Sequence, residues 1–496
     1  MSSRDSKHSA DLKIEDVEKS SSIEKDIASA SEIEATFDPI FVRRTIRKVD
    51  FRMLPLLGLV YAVALIDRIN LASARTAGMG VDLKLDIGER YSIASMIYFV
   101  PYILLQIPSN LILRYLGSRQ LLTITVVGWG AAQTGMAFVP TWGVLCLCRV
   151  LLGVFEAGFF PSLVYIITTW YKRHEVQKRL AVFYLSSISI QSFNSIIAYA
   201  ITKLTGKAGL NGWQWIFLLE GLFTIVLGVA VWFWVTDFPE RAKFITEEER
   251  KVILTRVEAD RGDSVADQLT AKKVLKHLQD PVLYCFAFMF LASTIPAYAI
   301  AFFITIILKA MGYTTSVALL LTAPPGIFAA ASCFFFAWLS DKTKHRAGWM
   351  AVQNVICIIG LALAAYSHKN PVRYFGLFLV NAGATGCIPG VLAYDMGLLC
   401  AIRSQSSNNI TSHTKRAVQT ATIVASGGFG GIIATLVFRQ KDFPRYVTGM
   451  WVTIGFQLMM MTMLGVTTFV FSRRNRLRRE GKLGPLEGQE NFFYTL

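Results

Sequence analysis

Runs of about 20 apolar residues recur along this chain from residue 53 to residue 471, and short polar stretches separate them. That length lets a helix cross a bilayer core of roughly 30 Å. The runs predict about twelve spanning helices, at approximately 53–74, 91–113, 120–139, 142–170, 180–202, 213–236, 283–309, 315–339, 349–367, 373–394, 417–438 and 447–472. Trp142, Trp170, Trp213, Trp215, Trp232 and Trp234 fall near run ends, as interfacial aromatic belts do. The polar stretch 237–280 divides the spans six and six. Within it, Thr246-Glu247-Glu248-Glu249 is a capping box, and Ile253, Leu254 and Val257 then form one apolar stripe. This predicts an amphipathic cytoplasmic helix that acts as a structural clasp.

The expected organisation is a disordered cytoplasmic tail over 1–42, a six-helix half over 43–236, a linker with its amphipathic helix over 237–282, a second six-helix half over 283–472, and a cytoplasmic tail over 473–496. The chain is 53% hydrophobic and only 17% charged, with mean hydropathy +0.45. Soluble domains run near 25% charged, so the soluble-globule class is excluded. The first 38 residues are rich in Ser, Lys, Asp and Glu and hold no apolar signal-peptide core, so the first span is expected to serve as its own insertion signal.

A net charge of +16 raises the question of nucleic acid, but the positions of the charges answer it. Arg43, Arg44, Arg47, Lys48 and Arg52 precede the first span, and Arg114 and Arg119 flank the turn after the second. Lys172, Arg173, Lys178 and Arg179 follow the fourth, Lys342, Lys344 and Arg346 the eighth, and Arg473, Arg474, Arg476, Arg478 and Arg479 the last. These are alternate loops plus both chain ends, the positive-inside pattern of a protein with both termini cytoplasmic. Lys369 with Arg373, and Arg439 with Lys441 and Arg445, fall in loops assigned outside and break the pattern. The seven cysteines lie in or beside apolar runs with no C-x-x-C pair, so they read as buried small hydrophobes and not as disulfides or metal ligands.

Two motifs place charge inside the apolar runs: Asp67-Arg68-Ile69-Asn70, and Arg149 to Gly158 within the run 142–170. A charge at membrane depth costs about 2.5 kcal/mol or more, so it is rare unless it lines a cavity and works there. Arg149, Gly153 and Glu156 fall at i, i+4 and i+7 and share one helix face. Asp67 and Glu156 are the proton-coupling candidates, because a carboxyl group in a low-dielectric cavity can take a proton on the acidic side and release it inside. The competing reading is a structural ion pair with a neighbouring arginine, above all for Asp67 beside Arg68. Arg68 and Arg149 are the anion-binding candidates, since a guanidinium stays charged and holds a carboxylate with two parallel hydrogen bonds. The two arginines can also divide the work, one clamping substrate while the other tunes Glu156. Asn70, Gln191, Asn194 and Asn381 are neutral polar residues within apolar runs and fit either a cavity or interhelical hydrogen bonding. Tyr98, Tyr184 and Tyr298 can stack on an aromatic acid, although packing is the ordinary role of any one tyrosine. Gly427-Gly428-x-Gly430-Gly431 lies within a span with no strand before it, which points to close helix packing or a hinge, not a nucleotide loop.

The turns 113–119 and 338–344 are both short and basic, and each joins the second to the third span of its half. Parallel repeats of this kind place a substrate near the midplane between the halves.

With these residues assembled, the chain resembles the major facilitator superfamily over nearly its whole length, and within it the anion:cation symporters. The residues carrying the likeness are Asp67-Arg68-x-Asn70; Arg149-x-x-x-Gly153-x-x-Glu156-Ala157-Gly158-x-x-Pro161; Trp170-Tyr171-Lys172-Arg173-x-Glu175; Trp213-x-Trp215-Ile216-Phe217-x-x-Glu220-Gly221; Asp237-Phe238-Pro239-Glu240; and Asn408-Asn409 with Lys415-Arg416-Ala417. The style is that of the fungal allantoate-permease branch, and Gly484-Pro485-Leu486-Glu487-Gly488 with Tyr494-Thr495-Leu496 resemble its nicotinate permeases. The resemblance implies an all-α membrane protein of the major facilitator fold, in the plasma membrane, carrying a small organic carboxylate such as nicotinate, pantothenate or allantoate together with a proton. Bacterial galactonate and sialate relatives use carboxylates at the positions of Asp67 and Glu156 for protons. One departure is that residues 395–405 intervene where the family's tenth span runs straight into the Asn-Asn pair. They read as a longer loop, an irregular span end or retained intron sequence, and the last is favoured because a polar insertion sits poorly at a span end.

The function expected is proton-coupled import of a small carboxylate by alternating access, by a monomer with no cofactor and no enzymatic cluster. The alternative is a nutrient sensor on the same fold, which would ordinarily carry longer cytoplasmic tails.

Overall fold

Apolar runs of spanning length leave the backbone no partner but itself, so every run becomes helix. The computed structural model describes residues 37–236, 238–261, 278–279, 281–343, 345–400, 413–443, 445–480 and 482. The expected tail through residue 36, Asn408-Asn409 and the C-terminal motifs lie outside them. The spans are Pro39–Ala74; Arg90–Met96 with Phe99–Leu116; Ser118–Met136; Trp142–Glu156 with Phe159–Trp170; Arg173–Ser192 with Asn194–Thr202; Gly212–Trp234; and then Pro281–Ala310, Thr315–Thr343, Arg346–Tyr366, Asn370–Cys400, His413–Val437 and Val447–Arg479. Among the described residues this is an all-α membrane protein with twelve spans in two six-helix halves. The second, fourth and fifth spans are each interrupted, and all three belong to the N-terminal half.

The first helix starts well before its apolar run. Asp38 caps it, its Oδ1 accepting from the Ile40 amide at 3.0 Å, and Pro39 occupies the first turn. Thr45, Val49 and Met53, four residues apart, are buried on one face, while Arg43, Arg44, Arg47 and Lys48 are exposed on the other. Residues 39–42, read from sequence as the end of the tail, are therefore the opening turn of this helix. The tenth span likewise runs on through Cys400, so the first part of the intervening stretch 395–405 continues the helix. The remainder, 401–405, lies outside the described residues.

Of the belt tryptophans, Trp170 and Trp213 turn inward: Trp170 stacks on Phe244 at 5.7 Å, and Trp213 Nε1 donates to Asp82 at 2.7 Å. Trp232 and Trp234 remain exposed. Arg373, one of the cations that broke the loop-charge pattern, is buried and its Nε donates to the Ala364 carbonyl at 3.3 Å, capping the last turn of the ninth span. Its charge serves a helix end.

The linker helix, Glu247–Arg261, lies against the first and fourth spans. Its capping box is complete, with the Thr246 amide donating to Glu249 Oε2 at 2.9 Å and the Glu249 amide to Thr246 Oγ1 at 3.3 Å. Val252, Ile253 and Val257 form the buried stripe and Leu254 is half-buried. Lys48 Nζ pairs with Glu249 at 2.8 Å and Arg256 Nη2 with Glu175 at 2.8 Å; Glu175 also faces Arg179, which grips Asp50 at 2.7 Å. The clasp thus ties the linker to the first and fifth spans.

The halves meet through the first and seventh, second and eleventh, and fifth and eighth spans. The glycine run in the eleventh span shows why it has no side chains. A Cβ at Gly427 would lie 2.6 Å from Phe290 of the seventh span, and one at Gly428 would lie 2.6 Å from Ile103 of the second. Gly430 and Gly431 repeat the alternation against Thr294 and Phe99. One short stretch packs on a neighbour in its own half and a neighbour in the other.

One end of this interface is sealed. Thr76 Oγ1 meets Thr305 Oγ1 at 2.9 Å, Tyr91 OH donates to the Phe302 carbonyl at 2.8 Å, and Arg75 Nη2 bonds Asp86 at 2.6 Å and Gln440 at 2.8 Å. At the other end, which carries the basic loops and the linker helix, a cavity between the halves runs out to Ser340, Asp341 and Arg346 of the basic turn. The conformation is inward-facing.

Candidate functional site

Between the halves lies a cavity of ≈ 790 Å³, reaching from Arg68 and Tyr298 at mid-depth to Asp341, Arg346 and Trp349 at the cytoplasmic mouth. Its deep end is built on Arg68. The first span aims this side chain across the chain midline: Nη1 donates to Tyr298 OH of the seventh span at 2.9 Å, and Nη2 is ion-paired with Glu156 of the fourth. The guanidinium also lies over the rings of Tyr102 and Tyr98, at 5.1 and 5.4 Å from their centroids. Aromatic contact on its faces and an anion at its edge compensate a cation that is nine-tenths buried.

Arg149, Gly153 and Glu156 are all buried, as their shared face requires, but they do different things. Arg149 stands behind the cavity wall, and its Nη1 donates to the backbone carbonyl of Arg68 at 3.2 Å. It braces the turn that presents Arg68. Gly153 sits where the fourth span crosses the second: a Cβ there would be 2.9 Å from Pro101 and would strike the Tyr98 carbonyl. Of the three, Glu156 alone lines the cavity.

Asp67 points away from Arg68, into the bundle. Its Oδ2 accepts from Thr224 Oγ1 at 2.9 Å and from Trp129 Nε1 at 3.2 Å, and Asn70 Nδ2 stands 3.4 Å from Oδ1. The Asn70 amide also donates to Glu220 Oε2, while its own Oδ1 accepts from Asn194 Nδ2 at 2.9 Å. Thus Arg68, Glu156, Gln191, Asn194, Tyr298 and Asn381 line the cavity, as does Tyr184; Asp67, Asn70, Tyr98 and Arg149 form the layer behind. In that layer Tyr98 packs edge-on against Phe99 at 5.0 Å. On the C-terminal wall, Asn381 Oδ1 accepts from Thr385 Oγ1 at 3.3 Å, Gln353 also lines the cavity, and the charged residues of that wall, Asp341 and Arg346, lie at the mouth.

The Major Facilitator Superfamily model matches residues 57–435. The chain belongs to this family. An uncharacterized transporter of Schizosaccharomyces pombe is 30% identical over 87% of this chain and 84% of its own length. The major facilitator-type transporter hxnP of Emericella nidulans is 30% identical over 85% of this chain and 84% of its own. Among solved structures, a bacterial homolog of the human lysosomal transporter Spinster, inward-facing and unoccupied, superposes with TM-score 0.63 at 15% identity, covering 88% of this chain and 99% of that one. A D-xylose–proton symporter superposes with TM-score 0.63 at 15% identity, covering 84% and 97%. These likenesses give the fold, and the cavity of this major facilitator protein occupies the place between halves where the fold puts a substrate.

Three residues outside the candidates named from the sequence, Glu220, Trp129 and Thr224, complete the layer behind the cavity wall. Glu220 was open to the argument used for Glu156, being a lone carboxylate in an apolar run. Trp129 and Thr224 carried no signal, since only the fold reveals that both donate to Asp67.

Proposed function

We propose that this transporter imports a small organic monocarboxylate together with a proton, by alternating access, across the plasma membrane. One observation carries the reading: the guanidinium at the deep end of the cavity is occupied by Glu156. While Glu156 is ionised it satisfies Arg68. When Glu156 takes a proton the pair breaks, and Arg68 is left a buried cation needing a carboxylate, which the substrate supplies. Proton and substrate then favour each other's binding by the same factor. Loss of the Glu156 proton at the open cytoplasmic end recloses the pair and expels the acid.

The walls narrow the substrate class. Arg68 is the one cation at the deep end among the described residues, which suits one carboxylate and not two. Tyr61, Phe159, Phe160 and Phe183 form an aromatic shelf beside it, with Tyr61 and Phe183 stacked at 4.9 Å. Gln353, Asn381 and Thr385 offer neutral hydrogen bonds opposite. A flat ring acid of the nicotinate kind fits this arrangement, in keeping with the likeness of the chain to the allantoate-permease branch. One chain builds both walls, so a monomer suffices.

The test is uptake of labelled nicotinate by cells lacking their own permease. Uptake should rise at acidic external pH, collapse with a protonophore, and be inhibited by unlabelled nicotinate and not by nicotinamide. Equal inhibition by acid and amide would sink the anion reading, because an amide leaves Arg68 unpaired. Dependence on sodium or potassium without dependence on pH would sink the proton reading.

A further inference from the structure

Behind the cavity wall, two carboxylates from different spans meet at one amide. Asn70 Nδ2 donates to Glu220 Oε2 and stands 3.4 Å from Asp67 Oδ1. Asp67 is 1% exposed and Glu220 9%. Neither forms an ion pair among the described residues, and Glu220 Oε1 is buried with no hydrogen-bond partner. Their nearest neighbours offer hydrogen bonds and no charge. The third span brings Trp129, the fifth Asn194 and the sixth Thr224, all uncharged. Of the charged groups on the remaining neighbours, Arg149 alone is left without an ion pair among the described residues, and one guanidinium balances one carboxylate and not two. Arg68 holds Glu156, Arg75 holds Asp86, and Arg149 donates to the Arg68 carbonyl with Asp67 and Glu156 in its field.

Two ionised carboxylates sharing one neutral donor, out of water, would be uncompensated buried charges, each costing several kcal/mol. We propose that Asp67 and Glu220 form a second proton-binding site, separate from the Arg68–Glu156 pair, which holds one proton between two carboxyl groups at neutral pH. The proton arrives from hydronium: an O–H bond forms on a carboxylate oxygen as one breaks in hydronium, and the reverse step returns it to water. Asn194 is the edge of this network on the cavity, so two amides, Asn194 and Asn70, link the carboxylates to the space that substrate and solvent occupy. Glu220 thereby becomes a proton-carrying residue alongside Asp67. The transport consequence rests on the proton-coupled reading above; the occupancy of the site does not.

The test is difference infrared spectroscopy of the purified full chain at neutral pH, read in the C=O stretching band of a protonated carboxylic acid. Wild type minus Glu220→Gln should show loss of one such band, shifting in deuterium oxide. Wild type minus Asp67→Asn should show the same loss, because removing either acid lets the other ionise. Glu156→Gln should leave the band in place. Both amide variants should melt within a few degrees of wild type, since an amide replaces a neutral acid. A band absent from wild type, or untouched by both substitutions, overturns the proposal, as does failure of both variants to fold. In uptake of labelled nicotinate, Glu220→Gln should move the acid-stimulated limb to lower pH. If nicotinate is not carried at all, the substrate reading fails while the infrared result still decides this site.

Discussion

At the scale of single residues, the two arginines that look equivalent in the sequence are not. Arg68 lines the cavity and is paired there with Glu156, whereas Arg149 is 1% exposed, lies behind the wall and donates its hydrogen bond to the Arg68 backbone. Arg68→Lys should therefore weaken apparent substrate affinity about tenfold or more, a loss of ~1.4 kcal/mol, because an ammonium gives up the planar fork. Arg149→Lys should instead lower the amount of folded protein at the surface and leave the apparent affinity of the remainder close to wild type. Kinetics normalised to surface expression separate the two effects, and equal affinity losses would show that both guanidiniums contact substrate. The sequence could place Arg149 and Glu156 on one helix face. It could not say that the helix crossing at Gly153 and the break at Ala157-Gly158 leave the carboxylate in the cavity and the guanidinium behind it.

At the scale of elements, close crossings and the clasp decide the packing. Gly153→Ala forces a methyl onto the Tyr98 carbonyl and the Pro101 ring, backbone and ring atoms that yield little. Overpacking of this kind costs about 1–3 kcal/mol, so the variant should melt several degrees below wild type in detergent. The clasp has its own signature in pH. Partial burial pushes the Glu249 carboxyl up, but the Lys48 and Thr246 hydrogen bonds outweigh this and hold it below the usual carboxylate range. A depressed carboxyl stabilises above its unfolded value and loses that stabilisation as pH falls through the folded one. Docking of the linker helix should accordingly loosen only below the ordinary carboxylate range, seen as faster proteolysis of the linker. Glu249→Gln should loosen it already at neutral pH, and unchanged proteolysis in that variant would contradict the clasp. The capping box and stripe of this helix were legible because they are local. Its partners Lys48 and Glu175 were not, because they lie 201 and 81 residues from their counterparts, Glu249 and Arg256.

At the scale of the whole molecule, the span count and the six-and-six division could be read from apolar run length, since a bilayer leaves no other solution. The sealed and open ends could not, because they depend on pairs such as Thr76 with Thr305 that join helices from different halves. Cysteines at Thr76 and Thr305 should form a disulfide under mild oxidation and lock the inward-facing state. Uptake should then cease and return with reductant, whereas continued uptake by the cross-linked protein would show that this contact does not open during transport. The central claim is that the Arg68–Glu156 pair couples proton to carboxylate, and Glu156→Gln tests it most directly. Accumulation of labelled nicotinate against a gradient, driven by an imposed pH difference, is measured beside its exchange between two equal pools in the same proteoliposomes. A neutral residue at 156 leaves Arg68 permanently free for the acid, so exchange should persist while proton-driven accumulation is lost; accumulation at the wild-type level would contradict the account.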